Sequence, residues 1–178
     1  MLSPKTDVSR PITDRVKESL FNVLWNYGFP EDKIAADLFC GVGSLGLEAL
    51  SRGAEYVSFV EKDRNVIATL KKNIEKAGFA GESKVVRADA FKVGAPVNER
   101  KYDLVFVDPP YSATRETKEG SPLGKLLVLL TEQLSQNGIV VVRTEKQIEL
   151  VERYSLLKVI ERRQWGTMAV TILHRSSE

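Results

Sequence analysis

The stretch Tyr102-Asp103-Leu104-Val105-Phe106-Val107-Asp108-Pro109-Pro110-Tyr111 decides how the chain is read. Its first half is a run of Leu, Val and Phe, as expected of a strand buried on both faces. Proline cannot donate to a sheet ladder, so Pro109 ends the strand. Asp108 then falls at the carboxyl edge of a sheet, where open α/β folds bind ligands. Two fixed proline φ angles stiffen the corner. A carboxylate, backbone carbonyls and a flat ring are held close together, an arrangement suited to gripping a planar amino group. Taken alone, the same residues also describe a strand end with a Pro-Pro turn and a surface tyrosine.

Working outward, the rest of the chain agrees with a mainly parallel sheet. Ile34 to Phe39, Tyr56 to Val60, Lys84 to Arg87 and Ile139 to Arg143 read as further short strands. Helices are expected between them, over Gly41 to Arg52, Asn65 to Ala77 and Leu123 to Leu134, the second stopped by Gly78. Ahead of them, Val16, Leu20, Val23 and Leu24 fall at helical spacing from Asp14 to about Tyr27, with Thr13 or Asp14 as N-cap. Ser112 to Pro122 is polar and glycine-bearing and reads as a mobile loop. Lys146 to Glu152 is a candidate helix. Leu156 to Arg163 and Met168 to His174 read as an antiparallel hairpin through Gln164-Trp165-Gly166-Thr167. Strands alternating with helices predict a doubly wound α/β fold, the sheet closed by that hairpin. Nothing resembles a linker or repeat, so 1–178 is expected to be one domain, with a helical segment over 10–28 and a core over 34–178.

Composition narrows the chemistry. Hydrophobic residues at 43% and charged residues at 28% are ordinary for a globular protein. One Cys (Cys40) and one His (His174) make a protein-built zinc site or a disulfide framework untenable, and no metal is expected. A net charge of +2 leaves any nucleic-acid contact to a local basic face. No apolar run suits a secretory leader or a bilayer span, so the cytoplasm is the expected compartment.

The candidate cofactor site is Asp37-Leu38-Phe39-Cys40-Gly41-Val42-Gly43-Ser44-Leu45-Gly46, on the first strand-to-helix turn. Glycines allow close backbone approach, and the helix start offers free N–H groups. Glu61 follows about 20 residues on, placed to accept from both hydroxyls of a ribose. This much fits any adenosine-containing cofactor, a nicotinamide dinucleotide included. Asp37 should point into the pocket, where it would repel a pyrophosphate and suit an ammonium group. Asp89, after the third strand, could accept from an adenine amino group. Adenine, ribose and ammonium together describe S-adenosylmethionine. Asp108 and the Pro109 carbonyl would then orient an exocyclic amino nitrogen, with Tyr111 stacked on its base.

Here the sequence meets a known family. Arg10-Pro11-Ile12-Thr13-Asp14-Arg15-Val16-Lys17-Glu18-Ser19-Leu20-Phe21-Asn22 resembles the N-terminal helix segment of the bacterial 16S rRNA (guanine-N2) methyltransferases of the RsmD type. Asp37 to Gly53, Val60-Glu61-Lys62-Asp63 and Val107-Asp108-Pro109-Pro110-Tyr111 match in the same order. The resemblance spans about residues 10 to 175. It implies a seven-stranded Rossmann-like methyltransferase, methyl transfer from S-adenosylmethionine to guanine N2, and ribosomal RNA in an assembling small subunit as partner; a monomer is the separate expectation for its oligomeric state. By position it assigns Asp37, Phe39, Gly41, Gly43, Glu61, Lys62, Asp89 and Ala90 to the cofactor. Asp108, Pro109, Pro110 and Tyr111 become the catalytic corner, and Arg10, Thr13 and Arg15 lie toward the substrate. Family members usually carry a basic, glycine-bearing strand pair ahead of this segment, whereas this sequence starts Met1-Leu2-Ser3-Pro4-Lys5; a weaker hold on RNA is the expectation. The loop from Ser112 to Gly124 is individual to this chain.

Three other readings remain open at this point. One is an amino methyltransferase acting on adenine or cytosine of DNA or another RNA. Another, a nicotinamide reductase, is disfavoured by Asp37. The third, a non-catalytic RNA-binding or assembly factor on the same fold, would have no need of the Asp108 corner.

Overall fold

The computed structural model describes residues 11–177. The first helix, α1 (Asp14–Asn26), starts where Thr13 accepts the Val16 N–H on its hydroxyl oxygen at 3.3 Å. Its apolar stripe buries Leu20, Phe21, Val23 and Leu24. Phe21 lands on Phe106 of the strand quoted above, ring centroids 5.7 Å apart, which seats α1 against the middle of the sheet.

The strands are β1 (Ile34–Leu38), β2 (Tyr56–Glu61), β3 (Ser83–Arg87), β4 (Tyr102–Val107), β5 (Leu134–Glu145), β6 (Arg153–Tyr154), β7 (Leu157–Trp165) and β8 (Met168–Arg175). They form one sheet in the order β3-β2-β1-β4-β5-β8-β7-β6. The first five pair in parallel; β8 runs antiparallel to both β5 and β7. The resemblance implies seven strands. The structure has those seven and adds the two-residue β6, antiparallel to β7.

The sheet is covered on both sides. Leu104 and Phe106 of β4 point into the core shared with α1, α2 (Ser44–Ser51) and α3 (Arg64–Ala77). Val105 and Val107 point into the core under α5 (Pro122–Gln133). This alternation with no exposed face is the physical content of an apolar strand in a parallel sheet. Because β1 pairs with both β2 and β4, the chain reverses its winding direction between β1 and β4. Ligands bind at such a point.

Local expectations fail in three places. Lys146 to Glu152 is a turn followed by irregular chain rather than a helix. Its backbone is committed elsewhere: Lys146 N–H bonds to the Thr167 carbonyl and Ile148 N–H to the Glu145 carbonyl. A seven-residue segment with no buried stripe cannot outcompete those ties. The Ser112 to Pro122 loop carries more order than its polarity predicts. Tyr111–Thr114 forms a 3₁₀ turn, Thr114 is buried, and the Tyr154 hydroxyl donates to the Thr117 carbonyl. A four-residue helix, α4 (Ala90–Val93), follows β3, too short to leave a periodic signal.

Candidate active site

Register brings the functional corner together. Leu38 of β1 is level with Val60 of β2 and with Val107 of β4. The next residues, Phe39, Glu61 and Asp108, therefore stand at one height at the carboxyl ends of three adjacent strands. With Gly41, Lys62, Asp89, Ala90 and Pro110 they line a cleft of about 240 Å³ at the carboxyl edge.

The glycine turn divides its labour. Gly41 has φ +55 and open space where a Cβ would stand, which leaves room for close approach to its backbone. Gly43, with φ +96, is not on the cleft wall. A Cβ there would meet Leu70 Cδ1 at 2.6 Å. A Cβ on Gly46 would meet the Phe59 ring at 2.3 Å, so this glycine lets α2 lie close on β2. Gly43, expected to line a cofactor, is seen here packed against Leu70 and Leu47.

Glu61 is the hub of the turn. Its Oε2 accepts the Gly41 N–H at 3.0 Å, and its Oε1 accepts the N–H groups of Lys62 and Asp63, both at 3.0 Å. A carboxylate offers about four lone-pair sites, so capacity remains for a ligand hydroxyl. Asp89 caps α4 by accepting the Phe91 N–H at 3.0 Å, and it lines the cleft. Phe91 was not foreseen. Its ring sits 4.7 Å from that of Phe39, and both contribute to the apolar lining of the cleft.

Asp37 departs from expectation. It is buried and absent from the cleft wall, and its Oδ2 accepts the Gly46 N–H at 2.9 Å. The reason is local: the tip of β1 lies beneath α2, where this carboxylate meets an N–H of the first helical turn that has no intrahelical acceptor. Burial pushes its carboxyl well above the usual carboxylate range; the Gly46 bond opposes this, and Asp108 and Glu61 add to it by repulsion.

The Asp108 side chain is 18% exposed. Oδ2 faces Arg143 of β5, whose Nη1 donates at 3.3 Å. Oδ1 is shielded from water and has no hydrogen-bond partner among the described residues. Burial raises the Asp108 carboxyl above its ordinary range, and the Arg143 guanidinium pulls it back. Pro109 is buried and Pro110 lies on the cleft wall. Tyr111, half-buried, opens the 3₁₀ turn, its ring centroid 5.8 Å from the same guanidinium.

Sequence reading missed Arg143. The signal was available only through register: Val107 is level with Val142, so the residue after each lies alongside the other. Thr13 and Arg15 are exposed and do not line the cleft; Thr13 caps α1. Arg10 lies outside the described residues.

A parallel sheet reversing at β1, a glycine turn with an acid at the next strand tip, and an antiparallel closing strand define the Rossmann-like methyltransferase architecture. The comparisons agree. A family model described as "Conserved hypothetical protein 95" matches residues 1–174. YlbH of Bacillus subtilis is 36% identical over 92% of this chain and 86% of its own. Ribosomal RNA small subunit methyltransferase D of Haemophilus influenzae is 37% identical over 84% of this chain and 76% of its own. Among solved structures, an RNA methyltransferase from Salinibacter ruber, in complex with S-adenosyl-L-homocysteine, superposes with a TM-score of 0.70. At 18% identity, with 94% of this chain and 95% of that one covered, it shares the fold. The chain belongs to the family that includes ribosomal RNA small subunit methyltransferase D.

Proposed function

We propose that this protein methylates small-subunit ribosomal RNA at the exocyclic N2 of a guanine, with S-adenosylmethionine as methyl donor. Family membership supports the donor and the RNA class. The observation that carries the chemistry is Asp108: an acid on the cleft wall with one buried oxygen lacking a partner among the described residues. Buried polar atoms are nearly always satisfied, so an orphaned carboxylate oxygen here suits a donor brought by a substrate.

The residues present fit the proposed cofactor. Open space at Gly41 admits a close ligand, Glu61 keeps acceptor capacity for ribose hydroxyls, and Asp89 and Ala90 border an apolar pocket suited to adenine. Asp108 and Glu61 both repel Asp37, a strain that a cationic ligand relieves and a pyrophosphate would worsen. When bound, S-adenosylmethionine supplies a methyl already activated by its sulfonium.

The protein's own task is then to orient a poor nucleophile. With Oδ2 engaged by Arg143, Asp108 Oδ1 is the oxygen left to accept an amino hydrogen. The Pro109 carbonyl takes the other hydrogen. These bonds aim the nitrogen at the methyl and stabilise the positive charge that grows on nitrogen. Asp108 is also placed to receive the proton that the methylated amine sheds. Tyr111 stacks on the base, which must be unpaired or flipped out to reach it. Thr13 caps α1 and Arg15 lies in its first turn; together with Arg10 they are assigned to RNA rather than to the cleft. The natural setting is a cytoplasmic monomer acting on an assembling subunit.

Nucleoside mass spectrometry of 16S rRNA from a strain lacking the gene tests the target. N2-methylguanosine is expected to fall and to return on complementation. Loss of a methylated adenine or cytosine instead would move the assignment to those bases.

A further inference from the structure

Arg143 is a charge where the sequence pattern asks for none. It follows the apolar residues Ile139 to Val142 of β5 and is only 4% exposed. At that burial it cannot reach out to an RNA phosphate. Its guanidinium instead touches two members of the catalytic corner, bonding Asp108 Oδ2 at 3.3 Å and lying 5.8 Å from the Tyr111 ring centroid.

We propose that Arg143 is a positioning residue for methyl transfer, anchoring the Asp108 carboxylate and the Tyr111 ring together while the substrate base docks between them. The inference rests on the assignment of Asp108 as acceptor of the amino group. A planar guanidinium can bond a carboxylate through one edge and present its face or rim to an aromatic ring, which an ammonium cannot do as well. Holding Oδ2 on Arg143 reserves Oδ1 for the substrate. A buried ion pair contributes little net stability, so its presence here is better explained by placement than by folding.

The charge matters as well as the geometry. Asp108 must be ionised to stabilise the positive charge that grows on the amino nitrogen and to receive its proton. Glu61, Asp63 and Asp89 line the same cleft, Asp37 of β1 lies behind it bonded to Gly46, and Lys62 is exposed at the rim. Arg143 of β5 is the cation in direct contact with Asp108. Removing that cation leaves burial unopposed, so the Asp108 carboxyl rises further and the acid limb of kcat/KM moves to higher pH.

The test compares Arg143→Met, Arg143→Lys and Asp108→Ala in the full chain, with small-subunit rRNA as substrate. For Arg143→Met, kcat is expected to fall about tenfold to a hundredfold, the range that misplacement of reacting groups produces, with cofactor affinity unchanged. Its acid limb should move upward. Arg143→Lys keeps the charge but not the planar fork, so its limb should stay at the wild-type pH while kcat falls. Wild-type kcat and an unmoved limb in a folded Arg143→Met overturn the proposal. So does an equal loss in both variants with neither limb moved, since a mere brace would do the same. If Arg143→Met does not fold, Arg143→Lys decides: a reduced kcat at unchanged cofactor affinity supports the proposal, and wild-type kcat overturns it. Full turnover in Asp108→Ala would instead remove the reading of the corner on which the proposal stands.

Discussion

At the scale of single residues, the site is a set of carboxylates kept apart by different partners. Glu61 is satisfied by backbone N–H groups of the turn, Asp89 by its own helix, Asp37 by Gly46, and Asp108 by Arg143 on one oxygen only. Asp37 contributes a pH dependence whose sign follows from its raised carboxyl. The folded state holds its proton at pH values where the unfolded chain has released it. The stabilisation is full below the unfolded value, about 3.9 for an aspartate, and is lost as pH rises through the folded value. Urea unfolding of wild type across a pH series should therefore lose stability more steeply on the alkaline side than Asp37→Asn. Parallel curves for the two proteins would contradict the burial cost assigned to that carboxylate. Residue identity at this site was partly legible. The acids at strand ends announce themselves, because an apolar run interrupted by a carboxylate has few structural reasons. Which of Gly41 and Gly43 faces the ligand is not legible, since the spacing is the same whichever one opens onto the cleft.

At the scale of elements, α2 depends on close approach and the loop after Pro110 depends on tethers. Gly46 lets α2 sit on Phe59, which is fully buried and has no room to move. Gly46→Ala is expected to cost about 1–3 kcal/mol of stability, read from the denaturant midpoint, and to weaken cofactor binding by displacing the turn. An unchanged midpoint would show that the helix can slide. Tyr154 is buried beneath the loop, bonding the Thr117 carbonyl and accepting the Val151 N–H at 3.1 Å. Tyr154→Phe removes both bonds at a cost of about 1 kcal/mol each. Amide exchange over 112–121 should quicken while exchange in β4 and β5 stays slow. The helices and strands with a clean period were legible from sequence because burial enforces that period. The 146–152 segment was not, since its residues permit a helix and it is its bonds to Thr167, Glu145, Val159 and Arg162 that hold it in another form. Helix α4 and strand β6 are too short for any pattern to register.

At the scale of the whole molecule, one sheet brings both walls of the cleft to the same edge. The half ending in β3 supplies the glycine turn and the acids proposed for the cofactor; β4 and β5 supply the Asp108 corner and Arg143. The doubly wound architecture was legible because alternating apolar strands and helices admit few other packings. The Asp108–Arg143 pair was not, because it joins residues 35 apart in sequence and exists only once β4 and β5 are paired in register. No helix among the described residues is long and apolar enough to cross a membrane.

The central claim is that the Asp108 corner holds the nitrogen that is methylated, and Asp108→Ala tests it most directly. Methyl transfer from labelled S-adenosylmethionine to small-subunit rRNA should fall by about a hundredfold or more, the scale seen when a transition-state hydrogen-bond partner is removed. Affinity for S-adenosylhomocysteine should stay at the wild-type value, because the cofactor is assigned to other residues. Wild-type transfer by Asp108→Ala would contradict the account.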